Sequence, residues 1–269
     1  MVADLVPHIR ASGVDAPEVA RLKGELRICD LLHKAVRDRQ RPLRETAIIP
    51  LGVERLRVTR EDSMELITSA RRRARTHNGG RRFLVEGFFR LLASKMREPL
   101  EWHVVRDRTK SLPETREALE RMWPLLTPAE LLNDLFGSAA LTRLAGSKWF
   151  SDDELALLHR KRADDAETIV WSTNDVPLLD EALEVLGARP KHKDEDAIRT
   201  YGHIVVDEAQ DLSPMQLRVV DRRSLNGSMT IVGDIAQATS ASGHTSWDSI
   251  LRHLPQRREP HRAELLIGY

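Results

Sequence analysis

Two short apolar runs in the last third of the chain end in polar residues suited to handling a phosphate ester. The first is His203-Ile-Val-Val-Asp207-Glu208-Ala209-Gln210-Asp211. An apolar strand that ends in adjacent carboxylates delivers them to the C-terminal edge of a sheet, where open α/β sheets bind ligands. Mg²⁺ prefers one or two carboxylates together with water and phosphate oxygens, which Asp207 could supply through a water. A neighbouring carboxylate can orient and deprotonate the water that attacks a γ-phosphate, the role given to Glu208. An Asp-Glu pair standing alone is more often a solvated loop or a helix N-terminus. The strand before it and a second motif after it reverse those odds. That second motif is Thr230-Ile-Val-Gly233-Asp234-Ile235-Ala236-Gln237. Gly233 permits a tight turn, and an amide such as Gln237 can report whether a γ-phosphate is present. Without its companion motif, Gln237 would be an ordinary loop glutamine.

The elements that must hold these residues are α/β in grammar. Residues 204–206 read as a short buried strand, 214–223 as a helix capped by Ser213, and 229–232 as a second strand. A helix over 247–254 and a third strand over 265–267 follow, so the order implies right-handed crossovers and a parallel sheet. Upstream the chain is mainly helical. Val19, Leu22, Leu26, Cys29, Leu32 and Val36 recur at helical spacing, with Asp15 as N-cap, Pro17 in the first turn and Pro42 as terminator. A hairpin is expected around Leu51-Gly52, then arginine-rich helices over 61–76 and 82–96, broken by Asn78-Gly79-Gly80. Capping signals at Thr127, Ser151 and Asp175 open three more helices, the last stopped by Gly187. The mixed-charge stretch 191–196 marks a boundary.

With 269 residues, 41% hydrophobic and 31% charged, the composition is that of a soluble globular chain with one or two domains. No stretch has the apolar length of a membrane span, and the first residues lack a secretory signal's apolar core. A single cysteine, Cys29, excludes an internal disulfide and suits a cytoplasmic setting. Ten histidines show no ligand spacing, so no transition-metal site is expected. The net charge of +1 leaves a polyanionic partner to local clusters such as Arg71, Arg72, Arg73, Arg75, Arg81 and Arg82. That cluster reads equally as a solvated helical face or as a dock for a phosphate backbone or an acidic protein surface.

The two polar-ended runs resemble motifs II and III of UvrD/Rep-like superfamily 1 helicases, whose patterns are Asp-Glu-x-Gln-Asp and Gly-Asp-x-x-Gln. Glu264-Leu-Leu-Ile-Gly-Tyr269 resembles the start of motif IV, in which an arginine normally follows the tyrosine that is the last residue here. Several upstream stretches look like the actinobacterial HelD/HelR branch. They include Ala35-Val-Arg-Asp-Arg-Gln-Arg-Pro42, Leu126-Thr-Pro-Ala-Glu-Leu-Leu132 and Trp171-Ser-Thr-Asn-Asp-Val-Pro. The resemblance implies an incomplete RecA-like P-loop NTPase domain, its C-terminal part, preceded by a mainly α-helical inserted domain. By it, residues 1–19 are a residual segment of the first RecA-like domain and 20–190 the insert. Residues 191–200 are then a linker, and 201–269 the returning RecA-like part with motifs II, III and the start of IV. It further implies ATP and Mg²⁺ as cofactors, with Gln210, Gly233 and Asp234 at the nucleotide, and RNA polymerase as the partner that the complete protein remodels and recycles.

Two departures bear on activity. ATP binding in this class needs Gly-x-x-x-x-Gly-Lys-Ser/Thr, and no Gly-Lys pair occurs in the sequence. The chain by itself is therefore expected to be inactive as an ATPase. DNA-translocating relatives carry a base-stacking aromatic three positions after the motif III glutamine, where this chain has Ser240. Losing that platform forfeits about 1–3 kcal/mol of stacking per base. Three readings stay open: a HelD-type ATPase part, a non-enzymatic polymerase-binding module, and part of a DNA-repair helicase.

Overall fold

The computed structural model describes residues 11–165, 168–190, 198–238, 246–254 and 259–264. In chain order the first elements are β1 (Ala11–Gly13), α1 (Pro17–Gly24), α2 (Arg27–Asp38), β2 (Ala47–Leu51) and β3 (Glu54–Val58). Next come α3 (Arg60–Arg73), α4 (His77–Ser94), α5 (Trp102–Thr109), α6 (Pro113–Met122) and α7 (Pro128–Phe136). Then follow α8 (Ala139–Gly146), α9 (Asp152–Leu158), β4 (Trp171–Ser172) and α10 (Asp175–Leu186). The last are β5 (Ile204–Val206), α11 (Pro214–Arg223), β6 (Met229–Ile231) and α12 (Trp247–Leu251). The chain is mixed α/β. Described residues within Met1–Ile28, Val170–Asp180 and Ile198–Tyr269 form one compact unit, which carries both motifs. Those within Cys29–Ile169 and Glu181–Ala197 form a second, mainly helical unit.

In the helical unit, Gly52 turns the β2–β3 hairpin at a φ of 61°, a conformation costly for any residue with a β-carbon. Thr59 and Asp62 form a capping box that starts α3. Ile49, Leu56 and Val58 of the hairpin join Ile67, Leu84 and Phe88 in one core. Asn78-Gly79-Gly80 does not break a helix as its composition suggests. It forms the first turn of α4, and the break falls at Ala74, whose backbone is extended. Packing explains this. The buried Asn78 amide donates to the Leu126 and Gly187 carbonyls at 3.0 and 2.8 Å, and its oxygen accepts from the Leu126 N–H at 3.2 Å. A β-carbon at position 80 would collide with the Trp123 ring. The expected boxes at Thr127 and Ser151 are present, each pairing with a glutamate three residues on.

In the motif unit, the helix expected over 17–40 is interrupted. Glu25 is extended, and its carboxylate takes Arg21 at 2.6 Å and also Arg27. The N-cap of α1 is Ala16, not Asp15. Asp15 is instead committed to a buried network, accepting from Lys23 Nζ at 2.7 Å, Ser172 Oγ at 2.6 Å and Asn174 Nδ2 at 3.2 Å. Lys23 also lies 2.8 Å from Asp175, whose carboxylate accepts the Ser172 N–H. Parallel pairing of β1 with β4 runs alongside this network. Asp180 takes both Arg222 and Arg223 from the end of α11.

Strands β5 and β6 pair in parallel, Ile204 with Met229 and Val206 with Ile231, and α11 is the crossover. Ser213 and Gln216 form the capping box that opens α11. Val206, Ala209, Leu217, Val220 and Ile250 make the core on one face, and Trp247 packs against it. The other face is bare among the described residues: Val205 is 67% exposed and Val232 47%. The expected strand over 265–267 and charged stretch 191–196 lie outside the described residues. Among the described residues no helix is long and apolar enough to cross a membrane.

Candidate nucleotide-handling site

The carboxylates stand where strand β5 stops. Val206 is buried, and Asp207 and Glu208 after it are exposed. Glu208 has φ 52° and ψ 42°, the left-handed region, and is the one non-glycine residue with positive φ among those described. Side-chain and carbonyl crowding makes that conformation cost about 1–2 kcal/mol for an ordinary residue. Three bonds offset it. Its N–H donates to Asp207 Oδ1 at 2.9 Å, its carbonyl accepts the Asp211 N–H at 3.0 Å, and its carboxylate accepts from Gln210 Nε2 at 2.7 Å. The turn drops Ala209 and Gln210 into the interior as a short 3₁₀ helix.

Gln210 joins the two motifs. It is 1% exposed, and while Nε2 holds Glu208, Oε1 accepts the Asp234 N–H at 3.0 Å. The backbones are tied as well. Ala209 N–H donates to the Val232 carbonyl at 3.1 Å, and Val232 N–H to the Val206 carbonyl at 2.8 Å. Gly233 sits at the crossing point. A tight turn is the reason the sequence suggests for this glycine, but close approach is the reason in the fold. A β-carbon there would run into Gln210 Oε1 and lie 3.1 Å from the Ala209 nitrogen.

Asp234 then caps the second short 3₁₀ helix through Ala236 N–H at 2.9 Å, and its other oxygen accepts from Gln237 Nε2 at 2.8 Å. All six residues singled out in the sequence thus belong to one connected chain: Asp207, Glu208, Gln210, Gly233, Asp234 and Gln237. Asp207, Glu208, Asp234 and Gln237 are exposed, and the Gln210 amide is engaged by protein groups at both ends. Sequence reasoning missed His203, whose ring lies 2.7 Å from Ser228 Oγ and 3.1 Å from Thr230 Oγ1, linking β5 to β6. Ser240 lies outside the described residues.

Asp207 keeps one carboxylate oxygen clear of the Glu208 N–H, as a cation contact requires. Among the described residues no three carboxylate, histidine or cysteine side chains gather as a metal cage. A donor set of one or two carboxylates fits Mg²⁺ that keeps its waters and phosphate oxygens, and does not fit a tightly caged ion. Asp207 would hold such an ion, which supplies charge neutralisation at a phosphate.

No curated protein matches the chain significantly. A family does: the UvrD/REP helicase N-terminal domain matches residues 155–239, a span that includes both motifs. The motif-bearing stretch is therefore similar to UvrD-like superfamily 1 helicases, a class that generally uses ATP and Mg²⁺.

Proposed function

We propose that this chain carries the hydrolysis-coupling part of a HelD-type superfamily 1 ATPase, whose complete form uses ATP and Mg²⁺ to remodel and recycle RNA polymerase complexes. The observation that carries the ATPase reading is the Gln210 amide, which ties the Glu208 carboxylate to the motif III backbone. A water-orienting base and a phosphate-sensing glutamine need fixed relative positions, because misplacement by about 1 Å costs on the order of a hundredfold in rate. In this reading Asp207 contacts Mg²⁺ through water, Glu208 orients the attacking water and Gln237 senses the γ-phosphate. Gln210, Gly233 and Asp234 hold that constellation at the nucleotide.

The polymerase assignment rests on the resemblance of the upstream segments to the HelD/HelR branch, and the helical unit is proposed as the inserted domain that docks. The sequence has no Gly-Lys pair to cradle phosphates, so this chain by itself is proposed to turn over no ATP. The same feature favours the second reading, a non-enzymatic polymerase-binding module.

The test is calorimetry of ATP·Mg²⁺ on the purified chain, beside capture of core RNA polymerase. Polymerase capture without nucleotide binding fits the proposal. ATP turnover abolished by Glu208→Gln would overturn the inactivity of the chain. Failure to capture polymerase, together with tight single-stranded DNA binding, would favour a DNA-repair helicase instead.

A further inference from the structure

The arginine cluster that the sequence presents as one feature is divided by the fold. Arg81 is used internally, donating to the Leu119 and Trp123 carbonyls and pairing with Glu120. Arg73 and Arg82 lie over the Phe83 ring, 4.3 and 4.4 Å from its centroid. Arg71 and Arg75 line a cleft of about 210 Å³ in the helical unit, and Arg37 of α2 lines it with them.

The three guanidiniums are not equally held. Arg71 Nε donates to Gln40 Oε1 at 2.6 Å, and its Nη2 reaches the Arg37 and Gln40 carbonyls at 3.3 and 3.2 Å. Arg37 and Arg75 make no side-chain hydrogen bond or ion pair among the described residues. Of the acidic groups nearby, Asp38 pairs with Lys34 through one oxygen and also attracts Arg71, and Glu181 lies 3.1 Å from His33. Burial, reinforced by the like charge of Arg37, draws Arg71 below the usual arginine range. The floor is apolar, with Val36 and the buried Trp123.

We propose that this cleft is an oxyanion site for a multiply charged phosphate group, of which pyrophosphate is the simplest form. Three cations lining one cleft repel each other, and a ligand carrying two or more negative charges relieves that repulsion where a single carboxylate offsets only one. The planar fork of arginine matches the oxygens of a phosphate. The cleft is smaller than the roughly 300–1,000 Å³ pockets that enclose whole organic ligands, so it suits the phosphate end of a molecule. A nucleic-acid backbone needs a track of free cations leading away from the cleft. Of the neighbouring arginines, Arg73 and Arg82 are engaged by Phe83 and Arg81 by α6, and Arg72 alone does not make such a track. This site is independent of the motif residues and of the function proposed for them.

The test is a calorimetric titration of the 269-residue chain with pyrophosphate at low salt. Saturable binding to one site is expected, weakened about tenfold or more by Arg37→Gln and by Arg75→Gln. Arg73→Gln should leave it within about twofold, since that side chain is engaged by Phe83. Near-UV circular dichroism of the five tryptophans checks that each variant is folded, and both cleft arginines are exposed and replaceable. Absence of saturable binding overturns the proposal. Equal weakening by Arg73→Gln overturns it in favour of diffuse charge. Tighter binding of a single-stranded oligonucleotide, weakened alike by all three substitutions, overturns it in favour of a nucleic-acid surface.

Discussion

The side chain of Gln210 and the α-carbon of Gly233 adjoin so closely that no β-carbon fits between them. Gly233→Ala must therefore displace the amide that links Glu208 to Asp234. A loss of about 1–3 kcal/mol is expected, as for overpacking at a closed site. Urea unfolding monitored in the motif unit measures it. Gln210→Ala should cost a similar amount by orphaning the Asp234 N–H, and the two losses should fail to add, because both break one link. Full additivity would show that the contact is not shared.

Glu208 holds a left-handed backbone, which predicts an inverted order of substitutions. At ordinary positions alanine is more stable than glycine. Here Glu208→Gly should exceed Glu208→Ala by about 1 kcal/mol, because only glycine escapes the β-carbon clash. Both variants lose the same carboxylate, so the comparison isolates the backbone. Denaturant midpoints of the pair decide it.

His77 is buried beneath Trp123, their rings stacked 5.3 Å apart, with its Nε2 2.7 Å from the Pro124 carbonyl. Burial draws its pKa from 6.5 to about 4, against the pull of that carbonyl. The unfolded chain therefore binds a proton more readily than the folded one between these values. Stability of the helical unit should be full above about pH 6.5 and decline as pH falls toward 4, by about 3 kcal/mol in the limit. Unfolding midpoints at pH 7 and pH 4.5 test this, and His77→Gln should flatten the difference.

Lys23 stands between Asp15 and Asp175, with its side chain 6% exposed. Lys23→Met leaves two buried carboxylates without their cation and should cost about 3–5 kcal/mol. Burial pushes the Asp15 carboxyl up, but the bonds from Lys23, Ser172 and Asn174 outweigh it and hold it below its usual 3.8. The stability it contributes is present above that value and lost as pH falls through the lower, folded one. Acid titration of the two proteins should show this loss in the parent and a smaller one in Lys23→Met.

What the sequence made legible was local. Thr127, Ser151 and Ser213 each start a helix with an acid or amide three residues later, so the caps could be read within four positions. The Asp207 to Asp211 and Gly233 to Gln237 motifs were legible because strand and polar residues adjoin in the chain. Features decided by distant partners were hidden. Asp15 looks like an N-cap until Ser172 and Lys23 claim it. Asn78-Gly79-Gly80 looks like a break until Leu126, Gly187 and Trp123 fill around it. Gly233 looks like a turn glycine until Gln210 arrives beside it. Arg37 showed no sign of belonging with Arg71 and Arg75, because α2 and α3 are brought together only by the fold.

The bond between Asp15 and Ser172 joins residues 157 positions apart, and β1 pairs with β4 across a similarly long stretch of chain. During synthesis the first strand and helix must therefore wait for their partners. At about 5–20 residues per second that wait is roughly 8–30 s. The helical unit, drawn mostly from the intervening chain, can complete its core in that interval, and doing so shortens the loop that remains to be closed. Lys23 meanwhile carries its charge in water, and its burial is deferred until Asp175 has left the ribosome. The order of appearance on the ribosome thus makes the helical unit the natural nucleus, with the motif unit assembling last.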